Sequence, residues 1–171
     1  MAFQRSDWPA FQEQALQQLQ SPREYLVLRF WRYPAFEAFT SWQLTNAWRS
    51  PSGYEGSPPR LWQQTWDRPL DFAMVSDPLE GLRRGHRAQP TLESRTFALA
   101  EQDLEQILHA LSKIQIPLVL PLGIAVDGIG CGLEAPGHFR VSWNDHALPV
   151  DWQPLHDWMD ETLLGLGRNL F

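Results

Sequence analysis

The 171-residue sequence contains a single cysteine, Cys131, and a single lysine, Lys113. One cysteine excludes an intramolecular disulfide and fits a reducing compartment. The longest apolar run, residues 114–126, is broken by two prolines and is shorter than the roughly 20 residues of a membrane-spanning helix. Residues 1–7 carry no apolar core of a secretory signal. We therefore expect a cytoplasmic protein that does not enter a membrane.

Positive charge is also scarce, because 14 basic residues face 20 acidic ones and leave a net charge of −6. This balance disfavours broad electrostatic binding of nucleic acid. The one basic cluster, residues 83–87, has no interleaved aromatic residue and is typical of a solvated loop. Aromatic residues, in contrast, are abundant and include nine tryptophans, which favours a folded globular domain over disorder.

Hydrophobic periodicity predicts one α+β domain over residues 1–171. Because the strands cluster instead of alternating with helices, we expect an antiparallel sheet of five to six strands with three helices packed on one face or end. A long irregular insertion is expected at about 67–91, with a short strand suggested by Phe72, Met74 and Val75. Helices, with Asp7 and Asp151 as caps, are predicted at 7–20, 101–113 and 151–166, and strands at 24–32, 41–47, 60–66, 95–100 and in a hairpin at 127–145.

The glycine-rich run Gly128–Gly132 superficially suggests a phosphate cradle. Such a loop has to open a helix, whereas these glycines alternate within a predicted strand. We expect them to leave room for a packed side chain. Cys131 shares the strand phase of Ile129 and Leu133, so a buried structural thiol is favoured over a nucleophile.

Two groups of titratable residues could support chemistry. Asp127 and Glu134, with His138, could converge for acid–base work, although Glu134 is also placed to pair with Arg140 across the hairpin. A metal site would need three or four convergent ligands in a tight spacing, and the sequence has no such pattern. The nearest approach consists of His156 and Asp160 on one helix face, with Asp145 and His146 upstream. We therefore predict no metal and no cofactor.

The segment from Asn144 to Glu161 is acidic and contains no lysine or arginine. Trp158 lies six positions after Trp152 and off the apolar stripe of the predicted helix. An exposed tryptophan among acids is typical of a protein interface and suits a basic partner, whereas the alternative is a solvated helix whose second tryptophan covers the edge of the core. The predicted interface consists of Asp145, Asp151, Asp157, Trp158, Asp160 and Glu161.

The layout of residues 93–166 resembles small bacterial α+β proteins, some of them immunity proteins of polymorphic toxin systems. The resemblance is carried by a strand, a helix, a proline-containing connection, a hairpin and a last helix, marked by Arg95-Thr96-Phe97-Ala98-Leu99, Glu101–Leu111, Pro117, Pro121, Asp127-Gly128, Leu133-Glu134, Val141-Ser142-Trp143 and Trp152-Gln153-Pro154-Leu155. It implies a cytoplasmic binding protein and transfers no catalytic residue.

The sequence therefore favours a non-enzymatic protein-binding domain, of the kind that inhibits a basic toxin. Two alternatives remain open: a small enzyme using Asp127, Glu134 and a histidine such as His138, and a structural module whose surplus tryptophans form a homodimer interface. No residue pattern identifies a reaction.

Overall fold

A computed structural model describes residues 8–46, 58–77, 89–115, 128–137 and 139–170. The described chain is α+β, as predicted. Its helices are α1 (Trp8–Gln20), α2 (Arg68–Ser76), α3 (Glu101–Ser112) and α4 (Gln153–Leu170), and its strands are β1 (Leu26–Pro34), β2 (Phe39–Thr45), β3 (Arg60–Trp66), β4 (Leu92–Ala98), β5 (Ile129–Ala135) and β6 (Phe139–Asn144). Two short 3-10 turns, Asp145–Ala147 and Val150–Trp152, lead into α4.

The six strands form one antiparallel sheet in the order β4-β3-β2-β1-β5-β6. The prediction of five to six antiparallel strands is confirmed. β1 lies between β2 and β5 because its residues carry apolar mass on both faces, a pattern typical of a covered strand. The predicted hairpin is also confirmed, as β5 and β6 pair from Gly130–Asn144 to Ala135–Phe139.

Helices cover both faces of the sheet, which corrects the expectation of helices on one face or end. One face, here called the α4 face, carries Phe30 and Leu44 and packs against α3 and α4 in the larger core. The opposite face, called the α1 face, carries Phe39 and Trp66 and packs against α1 in a second core. Since neighbouring strand residues point to opposite faces, the two cores are separated by the sheet itself.

The predicted irregular insertion begins with the helix α2, and the expectation of a short strand near Phe72 is wrong. Asp67 caps this helix, because its carboxylate accepts the Leu70 backbone N–H at 3.0 Å. Pro69 fits the first turn, where a backbone N–H is not needed. Asp67 and Pro69 thus favour a helix here more strongly than the weak apolar alternation of Phe72, Met74 and Val75 favours a strand. Residues 78–88 of the predicted insertion lie outside the described residues.

The last helix differs from its prediction at its start. Asp151, predicted as the cap, lies in the 3-10 turn Val150–Trp152, and α4 begins at Gln153. The other predicted cap, Asp7, lies outside the described residues. No helix in the described part of the chain combines the length and the apolar character needed to cross a membrane.

Candidate functional site

The predicted interface residues lie in α4 and in the turns that precede it. Asp151, Asp157 and Glu161 are exposed to solvent, whereas Asp145 and Asp160 are half-buried. Asp157 and Glu161 are one helical turn apart and therefore share one side of α4. Three of the five predicted acids are thus available to a partner.

Trp158 is buried, with 6% of its surface exposed, and the prediction of an exposed tryptophan among the acids is wrong. Its ring meets Phe30 of the α4 face edge-on at a centroid distance of 6.3 Å. The apolar face of α4 is wider than a single stripe, because Leu155, Trp158 and Met159 all enter the core. A tryptophan off the main stripe therefore still faces the sheet.

The two half-buried acids hold parts of the fold together. Asp160 forms an ion pair with Arg32 at 3.4 Å and lies 3.8 Å from Nε2 of His156. The Nδ1 atom of His156 accepts the indole N–H of Trp143 at 3.3 Å. Asp145 accepts the backbone N–H of Ile129 at 2.6 Å. These carboxylates consequently contribute less to an outer surface than the exposed three.

The predicted pairing of His156 with Asp160 is therefore present but serves an internal network. In the described ranges, no three His, Cys, Asp or Glu side chains are arranged to hold a metal ion. The Nδ1 atom of His156 accepts the indole N–H of Trp143, so this nitrogen cannot also bind a metal ion.

Exposed apolar side chains lie at both ends of the acidic segment. Val150 is 86% exposed and Leu164 is 61% exposed. From Pro154 onward the exposed residues recur every three to four positions, so they line one side of α4. We call this surface the acidic strip and define it as Val150, Asp151, Pro154, Asp157, Glu161 and Leu164. The strip combines charge with apolar contact area, although the predicted tryptophan does not belong to it.

Glu134, which belongs to the alternative acid–base site, lies in an ion-pair network on the α1 face. The predicted cross-strand pair with Arg140 is confirmed at 3.8 Å. A closer partner, Arg29, donates to Glu134 and to the backbone carbonyl of Gln20. Sequence reasoning missed Arg29 as a partner, because nothing local links it to a residue 105 positions away. The other two members of that site, Asp127 and His138, lie outside the described residues.

The glycine prediction is confirmed at Gly132 but not at Gly130, where an added Cβ would make only ordinary contacts, and the cysteine prediction is confirmed. A Cβ at Gly132 would overlap the Trp31 indole, so this glycine makes room for a side chain that crosses the strand. Cys131 is buried, and burial raises the pKa of its thiol to about 12. Because the thiolate is the reactive form, the protonated Cys131 is a structural residue at neutral pH.

The tryptophans of the described chain are all buried or half-buried. Trp8, Trp42 and Trp62 are half-buried and keep part of their surface exposed. Trp48 lies outside the described residues. No protein family, curated protein or solved structure matches this chain.

Proposed function

We propose that this protein is a non-enzymatic binding domain whose acidic strip docks a basic protein. The observation that carries the proposal is the composition of the strip. Its exposed acids lie between exposed apolar side chains at Val150 and Leu164, and residues 144–161 contain no lysine or arginine. A basic partner would meet a surface of one charge sign with apolar contacts at each end.

Electrostatics carries the larger share of this proposed interaction. Burial of Trp158 removes the aromatic anchor that dominates many interfaces, and leucine and valine are weaker anchors than tryptophan. Opposite charges steer the approach of a partner and accelerate association, and salt screens them over about 8 Å at physiological ionic strength. The complex is therefore expected to weaken steeply as salt is added.

A more specific form of the proposal is an immunity-type inhibitor that covers a basic toxin in the cytoplasm. The charge of the strip supports this form, which the layout of residues 93–166 also leads us to expect. Two observations favour a binding role and not a catalytic role. Glu134, the candidate catalytic carboxylate, is held by two arginines, and the Cys131 thiol stays protonated at neutral pH.

The experiment is a calorimetric titration with the basic products of the genes that neighbour this one, at 50 and 300 mM NaCl. We expect one product to bind and its affinity to fall at least tenfold at the higher salt. The double variant Asp157→Lys, Glu161→Lys should weaken binding at 50 mM salt at least tenfold, because it reverses the charge at the centre of the strip.

The matched control is Glu13→Lys, Glu105→Lys. Both residues are exposed on other helices. The Glu13 carboxylate accepts a side-chain N–H of Gln17 at 3.3 Å, as the Asp157 carboxylate accepts one from Gln153 at 2.8 Å. The control makes the same change in net charge and should bind within about twofold of the wild type. Equal losses in both double variants would assign the effect to net charge. Absence of binding by every neighbouring product would contradict the proposal.

A further inference from the structure

A cleft of about 550 Å³ opens at one end of the sheet, where β1 begins, β2 ends and β3 begins. Its size falls within the range of small-molecule sites, roughly 300–1,000 Å³. The side chains that bear on its chemistry are Arg23, Glu24, Tyr25, Thr45, Arg60 and Trp62. The cleft is separate from the acidic strip, which lies along the last helix and the turn before it, at the other face of the sheet.

The wall of the cleft formed by residues 21–25 is fixed by a buried amide. Gln43 is 1% exposed, and it donates to the Ser21 carbonyl and accepts the Arg23 backbone N–H, both at 2.9 Å. Tyr25 has a φ of +59°, a left-handed conformation that is rare for a bulky residue. Such backbone strain persists only where the surroundings enforce it, and it clusters at ligand sites.

The side chains of the cleft combine flat faces with positive charge. The Arg23 guanidinium lies 4.6 Å from the centroid of the Trp62 ring, and the Trp62 indole N–H donates to Thr45 Oγ1 at 3.2 Å. Tyr25 adds a second aromatic ring that is 60% exposed. Neither Arg23 nor Arg60 forms an ion pair with another described residue, so both guanidiniums can receive an anion.

We propose that this cleft binds a small planar ring that carries a phosphate or carboxylate. The ring would stack on Tyr25 and on the Arg23 guanidinium that lies over Trp62, and Arg60 would hold the oxyanion, since guanidinium binds oxyanions and stacks on flat rings. Glu24 offers an acceptor for an amino group on the ring. An aminopurine nucleotide and an aminobenzoate share this chemistry.

The experiment follows the indole N–H signal of Trp62 by NMR in the full-length protein, with the signal assigned by its loss in Trp62→Phe. The probes are adenosine monophosphate, 4-aminobenzoate, adenosine and inorganic phosphate. We expect a saturable shift with at least one of the two ring-bearing anions, and at least fivefold weaker binding of adenosine and of phosphate. Which anion binds distinguishes a phosphate ligand from a carboxylate ligand.

The arginine variants test the site without disturbing the core, because both side chains are exposed. Arg23→Gln and Arg60→Gln should each weaken binding at least fivefold. Arg95→Gln is the matched control, since this arginine is 57% exposed on β4, and it should leave binding unchanged. The proposal is overturned if neither ring-bearing anion gives a saturable shift, if adenosine binds as tightly as either, or if all three arginine variants bind alike.

Discussion

The two faces of the sheet differ in how they bury polar groups. The large core on the α4 face is made of apolar side chains. The buried polar side chains of β1 and β2 (Arg29, Ser41, Gln43 and Thr45) share the strand phase of Phe39 and lie on the α1 face. Asp71, which is buried as well, serves the same face, because it accepts the indole N–H of Trp66 at 2.7 Å.

Three of these buried groups fix segments of chain that apolar packing does not fix. Arg29 ties the end of α1 to β5, Gln43 ties the loop before β1, and Asp71 binds Thr91 next to β4 through bonds of 2.7 and 2.8 Å. Hydrogen bonds and ion pairs are directional, whereas hydrophobic contact is not. The α4 face thus supplies cohesion, and the α1 face sets the positions of loops, including the wall of the cleft.

The largest expected effect comes from breaking the buried charge on the α1 face. Arg29 is 3% exposed, and Arg29→Met would remove the donor of the Gln20 carbonyl and leave Glu134 with the more distant Arg140 at 3.8 Å. We expect the free energy of unfolding to fall by about 3–5 kcal/mol in urea denaturation. Arg140→Met is the control, because this arginine is 53% exposed and its pairing should contribute less than about 1 kcal/mol. Similar losses in the two variants would contradict the role given to buried charge.

An intermediate effect is expected at the glycines of β5, which also lie on the α1 face. Gly132→Ala would drive a methyl group into the buried Trp31 indole, and we expect a loss of about 1–3 kcal/mol by thermal or urea unfolding. Gly130→Ala is the matched substitution, since its nearest contact would be an ordinary 3.6 Å to the Tyr33 carbonyl. It should be neutral or slightly stabilising. Equal destabilisation at both positions would remove the special role of Gly132.

The smallest expected effect is a pH dependence of stability caused by Cys131, a buried thiol on the α4 face. Burial raises the pKa of this thiol from an ordinary 9.0 to about 12. Below pH 9 the thiol is protonated in both folded and unfolded chains, and above it only the unfolded chain ionises. Between pH 9 and pH 10 the stability of the wild type, measured relative to Cys131→Ala, should therefore fall by about 1 kcal/mol. The same pH dependence in both proteins would contradict a dry environment for this thiol.

The parts of the fold that depend on apolar periodicity were predictable from the sequence. Strand β3 is observed at the predicted residues 60–66, and the α+β class follows from the order of elements. The burial of Trp158 was not predictable from its phase, since the width of the apolar face of α4 depends on the sheet it meets. Arg29 and Gln43 escaped prediction for a related reason. Their partners are distant in sequence, so their burial is specified by tertiary contacts alone.

The proposed interface was predictable only in part. A run of acids without basic residues identified the C-terminal segment, and three of those acids are exposed. The sequence could not show that Asp145 and Asp160 are less exposed than these three, because their partners Ile129 and Arg32 lie in β5 and β1. The cleft was not foreseen at all, because its walls come from three separate parts of the chain.

We propose that the acidic strip is the docking surface for a basic protein. The most direct measurement is a backbone amide NMR titration of the isotope-labelled protein with the basic gene-neighbour product that binds in calorimetry. We expect the largest shifts to fall within residues 150–164 and to disappear as salt is raised. Shifts that leave this segment unchanged and concentrate instead on α1 or on the cleft would contradict it.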